Sequence, residues 1–482
     1  MNFPDAMKAY IFWSVHEDLF HRVALHLRDR GVSAFTGFAW GINQERAVVG
    51  RGVDYESMLV FTRDILPKAN DGEAPDLEWL VRRERELGVS IQRMLNAERH
   101  LLEGRSFEEI MRLAEVALRE IATSLDRLRP DFIFSEDVSC FHSYAHLVLA
   151  RERGIPFWCI GTGRLPHRVS VYREGPEHWE RFERAFAEIS TNGMTAGQRQ
   201  AAEQYVTEFR DRPARPTGMG TRAKRPKVEW NDVSRIRGAA VRYFGDREDP
   251  TAIGPLEAVQ RRLTRLARVA AADARRVFEQ PVANERYVLY PVHYQPEAST
   301  LVQAPMYLDQ IALLRAIAAS LPIGVRLYVK EHVSNRGRRP LSFYDAIRAI
   351  PAVRLLSPDE DTWRLIRGAA AVAVITGTVG WEGLLFGKPV ITFGNIFFNL
   401  HPSVYRGRER PLDRWYEMFQ DATGPTHAHD HEATLAMVAA LQRASYPGFV
   451  ANPSSFPEAL EPSNVRELAD ALAHEIGLPE AR

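Results

Sequence analysis

A glycine-rich stretch in the second half of the chain carries side chains that could bind a phosphate and a ribose. An apolar run, residues 371–375, leads into residues 376–380, which we call the glycine loop, and then to Glu382. The candidate binding residues of the loop are Thr376, Gly377, Thr378 and Gly380. N–H groups at a helix start bind phosphate, threonines add hydroxyls, and a carboxylate accepts hydrogen bonds from a ribose diol. The alternative is a plain strand-to-helix turn whose glycines serve only its geometry.

Two other predicted strands of the second half, residues 287–291 and 324–329, also end in polar clusters. The polar residues that follow them are Gln295 and Glu297 in the first case and Lys330, Glu331 and His332 in the second. Ligands of an open parallel sheet bind beyond the carboxyl ends of its strands. Three clusters that meet at one sheet edge therefore predict a binding site more strongly than any one of them.

The first half offers a pair of carboxylates. Glu136 and Asp137 follow the predicted buried strand 132–134, and the loop 161–164 follows the next strand. A carboxylate in such a position could act as a base or as a nucleophile. The alternative is that one of the two caps the helix predicted from His142 or pairs with an arginine.

The order of predicted elements places these residues. Residues 8–30 have the pattern of a strand and a helix, and Gly31 closes the helix, which suits a Rossmann-like half. From Arg286 onward, strands and helices alternate, which predicts a parallel sheet. Segment 210–227 is basic and rich in Pro and Gly, which predicts a solvated loop or linker, with contact to anionic lipid as the alternative. Segment 463–476 has the pattern of an amphipathic helix.

Composition narrows the class of protein. The 482 residues predict two or three domains, and 45% hydrophobic and 26% charged residues are typical of a globular protein. Lys+Arg and Asp+Glu both number 62, so no basic excess favours nucleic acid. The two cysteines and the lack of a signal peptide or membrane-spanning run predict a cytoplasmic protein. Peripheral contact with the inner membrane stays open. The histidines of segment 427–431 have a spacing that could bind metal, but we expect none there.

The second half resembles the bacterial capsule polysaccharide biosynthesis proteins, the group that contains the β-Kdo transferases. Four motifs within residues 286–401 carry the resemblance: Tyr290-Pro291-x-His293-Tyr294-Gln295-Pro296-Glu297, Tyr328-Val329-Lys330-Glu331-His332, Thr376-Gly377-Thr378-x-Gly380-Trp381-Glu382 and Gly387-Lys388-Pro389-Val390. It implies an α/β fold of the GT-B type, with two Rossmann-like domains facing a cleft, a helical insertion and a C-terminal crossover helix. The domains expected are an acceptor-side domain 1–180, a helical insertion with the basic loop 181–284, a nucleotide-sugar-binding domain 285–450 and a crossover helix 451–482.

The resemblance also implies a metal-independent glycosyltransferase with a nucleotide-sugar donor and no further cofactor. CMP-Kdo is the implied donor, a polysaccharide or glycolipid the acceptor, and polysaccharide-assembly proteins are candidate partners. By motif, His332 and Lys330 would meet the donor phosphate, and Gln295 and Glu297 the donor sugar or nucleotide. Val333 stands where the family has a proline after the histidine, so the nucleotide stays open.

Glycosyl transfer leaves negative charge on the departing phosphate. His332 would stabilise that charge as a cation or protonate it as an acid. Glu136 or Asp137 would act from the opposite half, as a base if configuration inverts or as a nucleophile if it is retained, which is the outcome that the resemblance implies. Two alternatives remain. One is another enzyme of this fold, such as a sugar-nucleotide epimerase or a polyol-phosphate transferase, and the other is a non-catalytic assembly component.

Overall fold

Two β-sheets organise the chain in the computed structural model, which describes residues 7–13, 16–173, 179–218, 231–425 and 428–478. The strands are β1 (Met7–Phe12), β2 (Val32–Ala39), β3 (Tyr55–Val60), β4 (Phe132–Ser135), β5 (Phe157–Thr162), β6 (Arg168–Arg173), β7 (Tyr287–Pro291), β8 (Arg326–Lys330), β9 (Val353–Leu356), β10 (Ala371–Val374), β11 (Val390–Thr392), β12 (Val404–Arg406) and β13 (Tyr446–Pro447).

Helices surround both sheets. They are α1 (Glu17–Arg28), α2 (Ile42–Val48), α3 (Leu66–Ala69), α4 (Leu77–Leu87), α5 (Ile91–Leu95), α6 (Phe107–Leu128), α7 (Phe141–Glu152), α8 (Glu180–Asn192), α9 (Ala196–Asp211), α10 (Asn231–Gly245), α11 (Pro255–Ala274), α12 (Ala298–Leu301), α13 (Gln310–Ala319), α14 (Leu341–Arg348), α15 (Thr362–Gly368), α16 (Thr378–Leu385), α17 (Trp415–Thr423), α18 (His431–Ala444) and α19 (Pro462–Ile476). Among the described residues, no helix combines the length and the apolar character needed to cross a membrane.

Each sheet has the strand order of a doubly wound fold. The first runs β13-β6-β5-β4-β1-β2-β3, with β1 to β5 parallel and β6 and β13 antiparallel to their neighbours. The second runs β12-β11-β10-β7-β8-β9 and is parallel throughout. These sheets confirm the predicted α/β class with two Rossmann-like halves. The chain reverses its direction of travel between β1 and β4 and between β7 and β10, and such switch points are where ligands bind.

Several described elements join the two halves. Helices α8 and α9 pack on α18. Helix α10 meets the first half, where Ile42 N donates to Asp246 Oδ2 at 2.7 Å, and α11 meets the second, where Arg265 Nε donates to the carbonyl oxygen of Arg336 at 2.9 Å. Strand β13 pairs with β6, and α19 packs on α1 with Leu468 fully buried. This return of the chain to the first half confirms the predicted crossover helix.

The sequence interpretation missed part of the first half. Strands β2, β3, β6 and β13 were not predicted, because each is short or is interrupted by polar and glycine residues. Residues 61–104 are charged and have a helical pattern, which predicts a solvated helix pair, and this prediction is wrong for both ends of the segment. Phe61, Ile65, Ile91 and Met94 are buried in the core shared with α6 and α7. Their apolar side chains stand among so many charges that the local pattern suggests a solvated face.

Two histidines of α7 lie inside the first half. His146 donates from Nδ1 to the carbonyl oxygen of His142 at 2.7 Å and meets the Tyr10 hydroxyl at 2.9 Å. His142 has no hydrogen-bond partner for either ring nitrogen among the described residues, and its ring packs against Phe38 and Trp40. Burial lowers the pKa of His142 to about 3 and that of His146 to about 4. Both imidazoles are therefore neutral in the folded protein.

We expect His142→Phe to make the protein more resistant to acid. His142 is neutral in the folded protein but titrates near 6.5 in the unfolded chain. The folded protein therefore loses no stability to His142 above that pH and loses stability as the pH falls below it. At pH 5 this loss is roughly 2 kcal/mol. Urea unfolding should show the variant gaining about that much on the wild type at pH 5 and much less at pH 8. His431→Gln, on the surface, is the control, and an equal difference at both pH values would contradict the assignment.

Candidate functional site

A cleft of about 1060 Å³ lies between the two halves, at the carboxyl ends of both sheets. Glu136, Asp137 and Arg164 line it from the first half. The clusters that follow β7, β8 and β10 line it from the second half, together with the connecting residue Arg215. The structure thus brings the predicted carboxylates and the predicted phosphate-binding residues into one space. Its volume is at the upper end of the range for single small-ligand pockets, roughly 300–1,000 Å³.

A histidine spans the switch point of each sheet. In the first half, buried His16 after β1 places Nε2 2.9 Å from Oε1 of Glu136, which follows β4. In the second half, His293 after β7 accepts a hydrogen bond at Nε2 from Ile375 N, 3.0 Å away at the end of β10. Burial lowers the pKa of His293 to about 3, so its ring is neutral and serves as an acceptor. These two histidine contacts therefore connect the strand ends that form the floor of the cleft, one contact at each switch point.

The glycine loop opens helix α16, with Gly377 at the N-cap. Thr378 and Val379, the first two helical residues, line the cleft, and the N–H groups of a first helical turn have no intrahelical acceptor. A methyl group on Gly377 would lie 3.1 Å from Cε1 of His293, so a small residue is needed there. The described geometry fits the predicted phosphate-binding turn.

Two other residues of the loop have structural contacts. Thr376 donates from Oγ1 to the carbonyl oxygen of Ser299 at 2.8 Å, which ties the loop to the segment after β7. Gly380 is not among the described residues that line the cleft. A methyl group on Gly380 would lie 2.8 Å from Cζ of Phe398, so packing requires glycine there, and its contact with the donor stays a prediction.

Lys330 and His332 provide side-chain N–H donors on one side of the cleft. Lys330 is 7% exposed, donates to the carbonyl oxygen of Pro358 at 3.2 Å and has its pKa lowered to about 8, chiefly by burial and also by the charge of Arg215. His332 accepts at Nδ1 from Ser334 N at 3.2 Å, which leaves Nε2 as the protonated nitrogen. Burial and the charge of Arg215 lower the pKa of His332 to about 4. His332 is thus a neutral N–H donor, whereas the first of its two predicted roles, stabilisation of the phosphate charge, requires the cation.

Glu331 and Gln295 use their polar groups inside the domain. Glu331 accepts hydrogen bonds from His332 N at 2.6 Å and from Asn335 Nδ2 at 3.0 Å, so it fixes the turn that carries His332. Gln295 donates to the carbonyl oxygen of Leu308 at 2.9 Å and accepts from Gln310 at 2.8 Å, and it is not among the described residues lining the cleft. Each side chain already has protein partners, although Glu331 also lines the cleft, and the contact of both residues with the donor stays a prediction.

Glu382 lies beneath the wall of the cleft. It is 4% exposed and accepts a hydrogen bond at Oε2 from Nε1 of Trp363 at 2.9 Å. Trp363 lines the cleft, whereas Glu382 does not do so in the described structure. Burial raises the pKa of Glu382 to about 7, although Arg215, Trp363 and Lys330 oppose that rise. The predicted ribose contact would need the carboxylate to turn outward from Trp363.

The first-half carboxylates lie in a second group of charges. Neither caps α7, whose N-cap is Cys140. Asp137 accepts from Val138 N at 2.7 Å, and burial together with the charge of Glu136 raises its pKa to about 8. Half-buried Arg164 interacts electrostatically with Asp137 and with Glu297 from the opposite half, and these contacts partly offset the lowering of its own pKa by burial. The raised pKa leaves Asp137 largely protonated at neutral pH.

Sequence reasoning did not assign a role to Arg164, Arg215 or Trp363. Arg164 ends the loop after β5, so its position at a strand end could have identified it. Trp363 is an aromatic residue in the first turn of α15, just beyond β9, so its position after a strand end could also have identified it. Arg215 lies in the segment predicted as a solvated linker, and nothing local distinguishes it from its basic neighbours.

The described residues contain no group of three or more His, Cys, Asp or Glu side chains that could hold a metal ion. His427 lies outside the described residues. Asp359 and Asp361 lie near the cleft and are separated by one residue in the sequence. They do not form a metal site, because each carboxylate already has a protein partner. Asp359 pairs with Arg336, and Asp361 caps α15 by accepting from Trp363 N at 2.9 Å.

We expect Glu382→Gln to stabilise the unliganded protein. A carboxyl group whose pKa is raised on folding costs stability as the pH rises from about 4.5 toward 7. Glutamine removes the buried charge and still offers an oxygen to Trp363, so the gain at pH 8 should be about 1–3 kcal/mol and smaller at pH 5. Denaturant unfolding at both pH values measures it, with the exposed Glu409→Gln as control. A less stable variant at pH 8 would show that the carboxylate is charged and well paired.

Comparison with known proteins adds a family match. Residues 259–413 match the sequence model of the family described as capsule polysaccharide biosynthesis protein. No curated protein matches the chain.

Several solved structures are similar to this chain at low identity. The β-Kdo 2,7-transferase of KpsC from Thermosulfurimonas dismutans is 11% identical, with 74% of this chain and 89% of that chain covered and a TM-score of 0.39. The β-Kdo 2,4-transferase of the same KpsC is 15% identical, with 72% and 88% covered and a TM-score of 0.39. MnaA from S. aureus, solved with UDP, is 9% identical, with 98% of both chains covered and a TM-score of 0.30.

These scores carry no argument about chemistry, so the fold assignment rests on the two sheets and the cleft between them. The matched residues 259–413 include β7 to β12, the glycine loop and the cluster around His332. In this region the chain matches the capsule polysaccharide biosynthesis protein family, as its motifs predicted.

Proposed function

We propose that this protein is a glycosyltransferase that moves a sugar from a nucleotide donor, bound by the second half, to a saccharide or glycolipid hydroxyl presented by the first half. One observation carries the proposal: a carboxylate pair and a cationic phosphate-binding turn face the same cleft from opposite halves. A transferase needs both.

The second half has the chemistry to receive a leaving phosphate without a metal. Lys330 supplies positive charge, Nε2 of His332 an N–H donor, and the first turn of α16 backbone N–H groups. Each group acts most strongly where negative charge develops on the departing phosphate. The donor would then lie with its sugar directed toward the first half.

The first half would supply the catalytic carboxylate, and we assign that role to Asp137. One oxygen of Glu136 already contacts His16, whereas Asp137 has a raised pKa, the property expected of a group held near neutrality for proton transfer. Asp137 would take the acceptor proton if configuration inverts, or attack the sugar carbon if it is retained. Arg164 would then favour the ionised form of Asp137.

A thermal-shift panel of CMP, UDP, GDP and CDP tests the proposal first. CMP is the nucleotide that the motif resemblance implies, and a capsular polysaccharide or its glycolipid precursor is the implied acceptor. Release of free nucleotide together with a glycosylated acceptor would support transfer. Conversion of the donor sugar with no acceptor present would favour a sugar-nucleotide epimerase. No stabilisation by any nucleotide would contradict the proposal.

We expect turnover to rise with pH through about 8, because Asp137 must be ionised to act and its pKa is about 8. Asp137→Asn should lower turnover roughly 10²–10⁴-fold and leave nucleotide affinity unchanged, since Asp137 lies on the other half. Glu136→Gln should retain a rise with pH, with its midpoint at lower pH, because the charge of Glu136 no longer raises the pKa of Asp137. The exposed Asp126→Asn is the control. Initial rates across pH and calorimetric titration with the nucleotide measure both effects, and full activity in Asp137→Asn would remove this residue from the mechanism.

We expect His332→Ala to lower kcat by roughly 10²-fold or more while raising the donor KM less. The reason is that a hydrogen bond to the leaving phosphate strengthens as its charge develops. His332→Gln, which retains a side-chain N–H donor, should recover part of the lost rate. Steady-state kinetics of the three proteins measure this. A change confined to KM would place His332 in ground-state binding only.

A further inference from the structure

The segment that carries Arg215 crosses the cleft from the second half to the first. It begins at the end of α9, where Arg210 Nε donates to the carbonyl oxygen of Leu385 at 2.7 Å and the carbonyl oxygen of Arg210 accepts from Arg367 at 2.7 Å. Leu385 is the last residue of α16, the helix that starts at the glycine loop. The near end of the segment is therefore fixed to the same helix that would bind the phosphate.

The far end of the segment is fixed to the first half. His167 N donates to Oγ1 of Thr217 at 3.2 Å. Gly218 has φ +82 and lies so close to the chain at Val450 that an added methyl group would be 2.8 Å from its carbonyl oxygen. Between the two ends, Pro213 and Pro216 restrict the backbone on either side of Arg215. Residues 212–218 thus form a strap that is tied at both ends, which we call the arginine strap.

Arg215 lines the cleft beside Lys330 and His332. Its charge contributes to lowering the pKa of both, after burial, and it opposes the rise of the Glu382 pKa. Among the described residues Arg215 makes no hydrogen bond or ion pair, although an arginine is the side chain best suited to a bidentate contact with phosphate. Two cations and an N–H donor therefore face one space, although Glu331, Asp359 and Glu360 act on Lys330 with negative charge and Glu382, with a pKa of about 7, adds a partial one.

We propose that Arg215 binds the phosphate of the ligand together with Lys330 and His332, so that the arginine strap completes the phosphate site from outside the second-half sheet. The assignment of this phosphate to a nucleotide rests on the proposed function. The phosphate site itself does not depend on that function. Arg215 would be a positioning residue for the donor and would link donor binding to both halves through the two anchored ends of the strap.

The test measures phosphate binding without any nucleotide. Inorganic pyrophosphate is titrated into histidine-labelled full-length protein, and the Cε1–H resonance of His332, assigned by its loss in His332→Gln, reports binding. We expect Arg215→Gln to weaken pyrophosphate binding about tenfold or more, because a charge-assisted contact is lost. Arg215→Lys should retain part of the affinity. Arg212→Gln, which changes a neighbouring exposed arginine of the strap, should bind as the wild type does.

Two results would overturn the inference: equal pyrophosphate affinity in Arg215→Gln and the wild type, or no response of His332 to pyrophosphate. Thermal unfolding of Arg215→Gln should match the wild type, which separates loss of binding from loss of folding. If pyrophosphate binding depends on Arg215 but no glycosyl transfer is found, the phosphate site stands and the proposed function fails. If transfer is found and does not depend on Arg215, the proposed function stands and this inference fails.

Discussion

The hydrogen bond from Ile375 N to Nε2 of His293 is the interaction on which the second-half site depends. At a switch point two neighbouring strands lead their chains away in opposite directions, so the backbone groups at their ends lose strand partners. A buried imidazole satisfies one of them and must stay neutral to do so, which its pKa of about 3 ensures. The glycine loop can then approach the ring closely, because Gly377 has no side chain. His16 and Glu136 hold the corresponding place in the first half.

Burial moves the ionisable groups of the cleft toward their uncharged forms. The pKa values of Asp137 and Glu382 rise, and those of Lys330 and His332 fall. Each shift records free energy that the folded protein forgoes by keeping the group out of water. A ligand group that places a charge opposite to that of the ionised side chain beside it would restore the charged form of that side chain. Ligand binding and side-chain ionisation are therefore coupled. Stability lost at a functional site in this way is the usual cost of a preorganised environment.

Much of this arrangement could be read from the sequence, because strand ends follow from apolar runs and parallel strands share one edge. That reasoning placed Asp137, Lys330 and the glycine loop at the cleft. It could not give side-chain directions, so Gln295 and Glu382 were assigned to the donor although each has protein partners in the structure. The position of Arg215 could not be predicted from the sequence. Its place in the cleft depends on anchors at Leu385 and His167, which are far away in the sequence.

The return of the chain to the first half has a consequence for how the protein is made. The outermost strand of the first sheet, β13, and the helix that covers α1, α19, follow the second half in the chain, so they are synthesised after it. On the ribosome, the first half therefore waits with an apolar face uncovered while the second half emerges and folds. The return of the chain to the first half also determines how the second half could be replaced in a chimeric protein. Exchanging the second half for another requires two junctions, one in the segment after α9 and one before β13, so that the native α19 still covers α1.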